Sequence, residues 1–234
     1  MQPTAILASI VISGVLSLVV LDEAKFFWNV HRLDFAVWAL AFVGTLFLGP
    51  EWGLGISIML SLLIVIFESA YPHISVLGRL PGTHQYRNVK QYPNGEQYDG
   101  LVMVRICAPI YFANTQNVRE KIERYYQRAQ ADLERRGEKG VKYIIIEMSP
   151  VSHMDTGALH TLSEMHATFL DTLNIRLCLA NPNPTVMQRL VASGVADEFG
   201  RDHIFVSIQD AVEFCLVKLD VRNSLCDCPT RIDV

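Results

Sequence analysis

Tyr143 to Leu162 reads YIIIEMSPVSHMDTGALHTL. Its first six residues are short, apolar and rich in isoleucine, which predicts a buried central strand over Tyr143–Met148. Its last seven open an amphipathic helix whose interior positions are Leu159, Leu162, Met165, Phe169 and Leu173. Asp155 stands just before that helix as its natural N-cap. A strand that passes through one turn into a helix is the building unit of a parallel sheet with crossover helices.

The same alternation continues on both sides. Upstream, Leu101–Cys107 (LVMVRIC) is strand-like, and Asn114 can cap a helix with apolar positions Val118, Ile122, Tyr125, Tyr126, Ala129 and Leu133. Glu120 and Arg124 are spaced for an i,i+4 pair on its outer face, and Gly137 and Gly140 end it. Downstream, Arg176–Ala180 is the next strand, followed by a helix with Asn183 as cap, Pro184 at the first helical position and Gly194 as its stop. Ile204–Val206 is a short strand, and Ser207 with Asp210 forms a capping-box-like start to a last helix through Ala211, Phe214, Cys215 and Leu219. Before all of this, Tyr71–Asp99 is rich in Pro, Gly, Tyr and Asn; it reads as a connector with one edge strand near Asn88–Tyr92.

The first 70 residues have a different character. The 234-residue chain is 50% hydrophobic with mean hydropathy +0.24, and the excess is concentrated there. Residues 5–21, 35–49 and 52–67 are candidate membrane spans, each near the lower length limit for a crossing and each without a polar stripe. Met1–Thr4 lacks the basic region of a signal peptide, so the first run is expected to stay in the product. Ala8, Ser9, Ser13, Gly14, Ser17, Gly44, Thr45, Gly53, Gly55, Ser57 and Ser61 are small residues that permit close helix approach in lipid. Lys25 and Arg32 in the first connection, and Arg79, Arg87 and Lys90 after the third run, put the first connection and the soluble domain in the cytosol, with Pro50-Glu51 as a tight reversal outside. Glu68, at the inner end of the third span, reads as an interfacial charge, with a functional intramembrane carboxylate as the other reading.

Several function classes lose support. A net charge of −4 gives no global basic field for nucleic acid. Five scattered cysteines do not form a disulfide framework, and Cys226 with Cys228 lacks two further nearby metal ligands. No GxGxxG, P-loop or GxSxG occurs, and His153 has no activated nucleophile to serve. No catalytic residue, metal site or cofactor is expected. In such a sheet the productive places are turns from strand ends into helix N-termini, and the turn that stands out is Ser149–Leu159.

YIIIEM, then SPVSHMDTGALHTL, then RLCLANPNPTV resembles the STAS domain of SulP-family sulfate permeases. PTAILASIVISGV, HRLDFAVW, GPEWGLGISIMLSLL and VLGRLPGT resemble the final membrane helices of plant and algal members. The resemblance implies a membrane α-helical segment followed by an α/β STAS domain with a mixed, mostly parallel sheet. It divides the chain into membrane helices over 1–70, a linker over 71–87, the STAS domain over 88–219 and a tail over 220–234. It also implies a secondary active transporter of sulfate or a related anion rather than an enzyme. The substrate site is then expected upstream of Met1, with this chain a carboxy-terminal fragment and the STAS domain regulatory. Partners implied are the lipid bilayer, the anion through the missing helices, a second copy in a homodimer and a cytosolic protein. A stand-alone membrane-anchored STAS scaffold or regulatory module is the other reading. STAS domains resemble anti-sigma factor antagonists, which are phosphorylated in a D-S-S-G or D-T-S-G turn. Asp155 and Thr156 match its first two positions, while Gly157 and Ala158 depart from it, leaving Asp155 and Thr156 as a regulatory turn or simply as helix caps.

Overall fold

The structure is a computed structural model and describes residues 4–18 and 21–226. Cys228 lies outside the described residues, as does most of the expected tail. The chain divides into two units, Met1–Glu68 and Ser69–Val234.

In the first unit, α1 (Thr4–Leu18), α2 (Leu21–Val30), α3 (Arg32–Leu48) and α4 (Pro50–Ala70, whose last two residues belong to the second unit) follow one another. The segment between the first two apolar runs, expected to be a connection, is largely helix α2 because LDEAKFFWNV contains neither glycine nor proline. Pro50 and Glu51 do not form the reversal after α3. Gly49 does, with φ +89°, and Pro50 takes the first helical position, where its missing N–H costs nothing. At 21 residues α4 spans about 31 Å, enough for a hydrocarbon core. Among the described residues it is the one helix of 18 or more residues with membrane-span composition; α1 and α3 have 15 and 17. Of the three crossings expected from sequence, the third is the one that meets this length among the described residues.

The small residues do what their size suggests near the α3–α4 turn. A Cβ on Gly44 would sit 3.1 Å from the Gly53 Cα, and one on Gly53 would sit 2.3 Å from the Thr45 backbone nitrogen. Ser57 is buried one turn on, its hydroxyl donating to the Gly53 carbonyl at 2.8 Å. Elsewhere α3 and α4 expose Phe47, Trp52, Met59 and Phe67, which is costly in water and neutral in lipid.

The second unit is a six-stranded mixed sheet in the order β2-β1-β3-β4-β5-β6, made of β1 (Ile74–Arg79), β2 (Tyr86–Asn88), β3 (Leu101–Ile106), β4 (Tyr143–Glu147), β5 (Arg176–Ala180) and β6 (Ile204–Phe205). β1 is antiparallel to β2 and β3, while β3 through β6 are parallel. The supposed connector thus supplies two strands. Ile74 and Leu77 are buried although ISVLGR carries a serine and a glycine that weaken its strand signature, and the second strand falls at 86–88 rather than 88–92.

Alternate residues face opposite sides, as the pleat requires. Val102, Val104, Ile144, Ile146, Leu177 and Leu179 pack under α5 (Phe112–Arg136), α6 (Thr156–Leu173), α7 (Pro184–Ala192) and α8 (Val195–Phe199). Leu101, Met103, Tyr143, Ile145, Cys178 and Ala180 pack under α9 (Ile208–Cys226). Tyr126 meets Phe169 edge-on at 5.7 Å, locking α5 to α6. The predicted interior positions of both helices are buried or packed on this core, apart from Leu173 at 40% exposure. The i,i+4 ion pair on α5 is Arg119–Glu123 at 2.9 Å, whereas Glu120 accepts from Gln116.

Candidate functional site

β4 ends in a carboxylate that the core has enclosed. Glu147 is 2% exposed, and its Oε2 accepts from Arg105 Nε of β3 at 2.5 Å while its Oε1 accepts from the Ser149 N–H. The chain then turns over buried Val151 and Met154 and runs briefly beside the segment after β3. There the Ile110 N–H donates to the His153 carbonyl and the Asp155 N–H donates to the Ile110 carbonyl. This short ladder brings the starts of α5 and α6 together.

Asp155 joins them. Its Oδ1 accepts from the Ala158 N–H at 2.7 Å, the expected cap of α6, and its Oδ2 accepts from the Phe112 N–H of α5 at 2.8 Å. One carboxylate thus serves two helix N-termini, whose partial positive charges both favour it. A Cβ at Gly157 would lie in ordinary van der Waals contact, 3.4 Å, with Asp155 Oδ1 and Phe112 Cβ, so the double cap does not itself require glycine there. Thr156, exposed on the first turn of α6, makes no side-chain hydrogen bond among the described residues. Arg189 of α7 reaches the same turn, donating to the Met154 carbonyl and lying 3.1 Å from His153 Nε2. A guanidinium only donates, so in this contact the His153 Nε2 accepts. His153 is a turn residue bound to Arg189, not a base beside a nucleophile.

Asn114 is not the cap of α5. The helix begins at Phe112 with Tyr111 as N-cap, and Asn114 sits in the third position, its Oδ1 accepting from the Tyr111 N–H at 3.0 Å. Its amide group is fully buried and donates to the carbonyls of Pro109 and Ser69. It belongs to a stripe that sequence reasoning missed. Tyr111 donates to the Ser69 carbonyl at 3.1 Å, Asn117 to Ala70 at 2.8 Å, Lys121 to Pro72 at 2.5 Å and Tyr125 to Ile74 at 2.9 Å. Five side chains at helical spacing, from the N-cap Tyr111 along α5, therefore hold the carbonyls of Ser69, Ala70, Pro72 and Ile74. Burial, and next the nearby Arg124, lower the Lys121 pKa from its usual value. The readable signal was the polar series 114, 117, 121 beside the apolar series 118, 122, 125.

Among the described residues, no group of three or more His, Cys, Asp or Glu side chains is placed to hold a metal ion.

Residues 92–211 match the STAS domain family. "Sulfate transporter 4.1, chloroplastic" from Arabidopsis thaliana is 44% identical over 227 residues, covering 94% of this chain and 32% of its own length. "High affinity sulfate transporter 2" from Stylosanthes hamata is 37% identical over 90% of this chain and 32% of its own. The chain thus spans about a third of the length of the curated relatives it matches. Among solved structures, the murine Solute Carrier 26 family member A9 anion transporter in the inward-facing state aligns with TM-score 0.66 at 28% identity, over 82% of this chain and 30% of that one. A domain match over just over half of the chain, with relatives aligned along nine-tenths of it, leaves one assignment: the chain belongs to the STAS domain family, as a homologue of the carboxy-terminal part of plant sulfate transporters.

Proposed function

We propose that this chain is the carboxy-terminal portion of a secondary active sulfate transporter, whose anion path is formed by helices outside these residues and whose STAS domain regulates or assembles the transporter in the cytosol. The observation that carries this reading is the alignment itself, in which proteins called sulfate transporters match nine-tenths of this chain with only a third of their own length. Anions in such carriers are held at the N-termini of half-helices near the bilayer midplane. In this proposal the substrate-binding residues therefore lie upstream of Met1.

In this reading residues 1–70 are the last transmembrane helices, 71–87 the linker, 88–219 the STAS domain and 220–234 the tail. The protein is multi-pass, the runs at 5–21 and 35–49 crossing a bilayer together with 52–67. Their apolar surfaces and the basic residues Lys25, Arg32, Arg79, Arg87 and Lys90 support that orientation. The role is transport rather than catalysis. Asp155 and Thr156 form the regulatory turn. Thr156 is exposed at the N-terminus of an 18-residue helix with the Arg189 guanidinium on the same turn, an electrostatic setting that favours an added phosphate. A homodimer and a cytosolic protein bound to the STAS domain complete the proposal.

A second reading, a membrane-anchored STAS regulatory module without transport, is favoured by α4 being the one described helix with the length of a span. Growth of a sulfate-uptake-deficient cell on limiting sulfate separates the two. The transporter reading expects rescue by a version extended upstream with the missing helices and none by the 234 residues alone. Failure of the extended version to rescue would favour the anchored module.

A further inference from the structure

β4, β5 and β6 are parallel, so their first residues lie on the rim of the sheet opposite the Asp155 turn. An open cleft of about 700 Å³ lies at that rim, lined among others by Arg176, Arg201, Asp202, His203, Phe214 and Lys218. Three cations face one carboxylate there, in a protein whose net charge is −4. Arg201 is shared with Asp197 at 3.4 Å, but both are well exposed and the pair is screened. Arg176 and Lys218 have no carboxylate partner among the described residues. Lys218 instead lies 5.7 Å from the centre of the Phe214 ring.

His203 shows how this surplus is felt. Its Nε2 is 3.3 Å from Arg176, and because the guanidinium only donates, Nε2 accepts and the ring proton sits on Nδ1. That Nδ1 is buried with no hydrogen-bond partner. Burial, and next Arg176, hold the His203 pKa below its ordinary value; Lys218 adds to this and Asp202 opposes it.

We propose that this cleft binds a tetrahedral dianionic oxyanion, sulfate or a phosphoryl group, through the Arg176 guanidinium and the Lys218 ammonium. The guanidinium fork matches two oxygens of such an anion, and lysine adds a point charge. The proposal does not depend on transport by the missing helices, because it concerns only residues of the soluble unit. Binding is coupled to protonation of His203, since a dianion offsets the cations that oppose it. The groups that bear on this ring are Arg176 from β5, Asp202 from the short 3-10 helix Arg201–His203, Lys218 and Phe214 from α9, and His166 from α6, whose own pKa His203 lowers. For sulfate, which stays a dianion, affinity therefore rises as pH falls through the range in which His203 takes up its proton.

The test is equilibrium dialysis of the full chain in detergent at fixed ionic strength, with sulfate, inorganic phosphate or adenosine monophosphate as probe and chloride as the balancing anion. Saturable binding of one oxyanion per chain is expected, weakened about tenfold or more in Arg176→Gln/Lys218→Gln and several-fold in Lys218→Gln alone, an exposed position whose folding a thermal melt verifies. Arg135→Gln, an exposed α5 position outside the cleft, leaves it unchanged, and His203→Gln removes the pH dependence of sulfate binding. Adenosine monophosphate binding tighter than phosphate identifies a phosphate ester as the ligand, and equal or weaker binding identifies the free ion. Absence of saturable binding by all three probes, or binding that survives the double substitution, would overturn the proposal.

Discussion

Replacing Asp155 tests whether one carboxylate holds two helices. Asp155→Ala removes the acceptor for Ala158 N–H on α6 and for Phe112 N–H on α5 together. Each lost cap costs about 1 kcal/mol, and the lost charge near each N-terminus adds some tenths more, so the total is about 2–4 kcal/mol. Asp155→Asn keeps one acceptor oxygen and turns the other into a donor facing an N–H, so about half of that loss is expected. Thr156→Ala, which removes an exposed side chain without hydrogen bonds among the described residues, costs within about 0.5 kcal/mol. At roughly 2–4 °C per kcal/mol for a domain of this size, the melting temperature of the full chain in detergent falls by about 4–16 °C for Asp155→Ala. Equal losses for Thr156→Ala and Asp155→Ala, or an Asp155→Ala protein as stable as the parent, would refute the double-cap reasoning.

Three further outcomes follow from the same structure. Arg105→Met strands the Glu147 carboxylate, 2% exposed, and should cost about 3–5 kcal/mol by denaturant titration, whereas Arg105→Met/Glu147→Leu should recover most of it; an unrecovered double variant would contradict this. Gly53→Ala, whose Cβ would meet the Thr45 backbone at 2.3 Å, should lower the melting temperature by the equivalent of about 1–3 kcal/mol, whereas Gly55→Ala, with nothing within 4 Å, should not. His166, stacked on Phe199 at 4.0 Å, has its pKa lowered chiefly by burial and then by His203. The unfolded ring protonates near its ordinary value of about 6.5 and the folded ring only at lower pH. The unfolded state therefore takes up protons first, and stability falls as pH drops below about 7. His166→Phe should flatten part of that slope in melts from pH 7.5 to 5.5, and an unchanged slope would count against the assignment.

The helices and parallel strands after residue 100 were legible because each carries its own periodicity and cap, as Asp155, Asn183 and Gly137 show. β1 was not legible, because its buried residues come in adjacent pairs, Ile74–Ser75 and Leu77–Gly78, with no alternation, and its burial comes from β3 and α5 rather than from its own sequence. Asn114 misled for a related reason. Asparagine is a good cap, yet here its side chain accepts from the Tyr111 N–H and donates to Ser69, a long-range contact that propensity does not encode. At the candidate site the sequence identified Asp155 as a cap of α6, while its second role at Phe112 depends on the Ile110–Met154 pairing. The opposite cleft had no motif at all, because Arg176, His203 and Lys218 come from three separate elements.

The central claim, that these residues are the carboxy-terminal part of a sulfate transporter, is tested most directly by radiolabelled sulfate uptake into proteoliposomes holding either the purified 234-residue chain or a form extended upstream with the missing helices. Time-dependent uptake by the extended form and none above empty liposomes for the chain alone is the predicted result. Uptake by the chain alone would contradict the placement of the anion path outside these residues, and no uptake by either would contradict the transporter assignment.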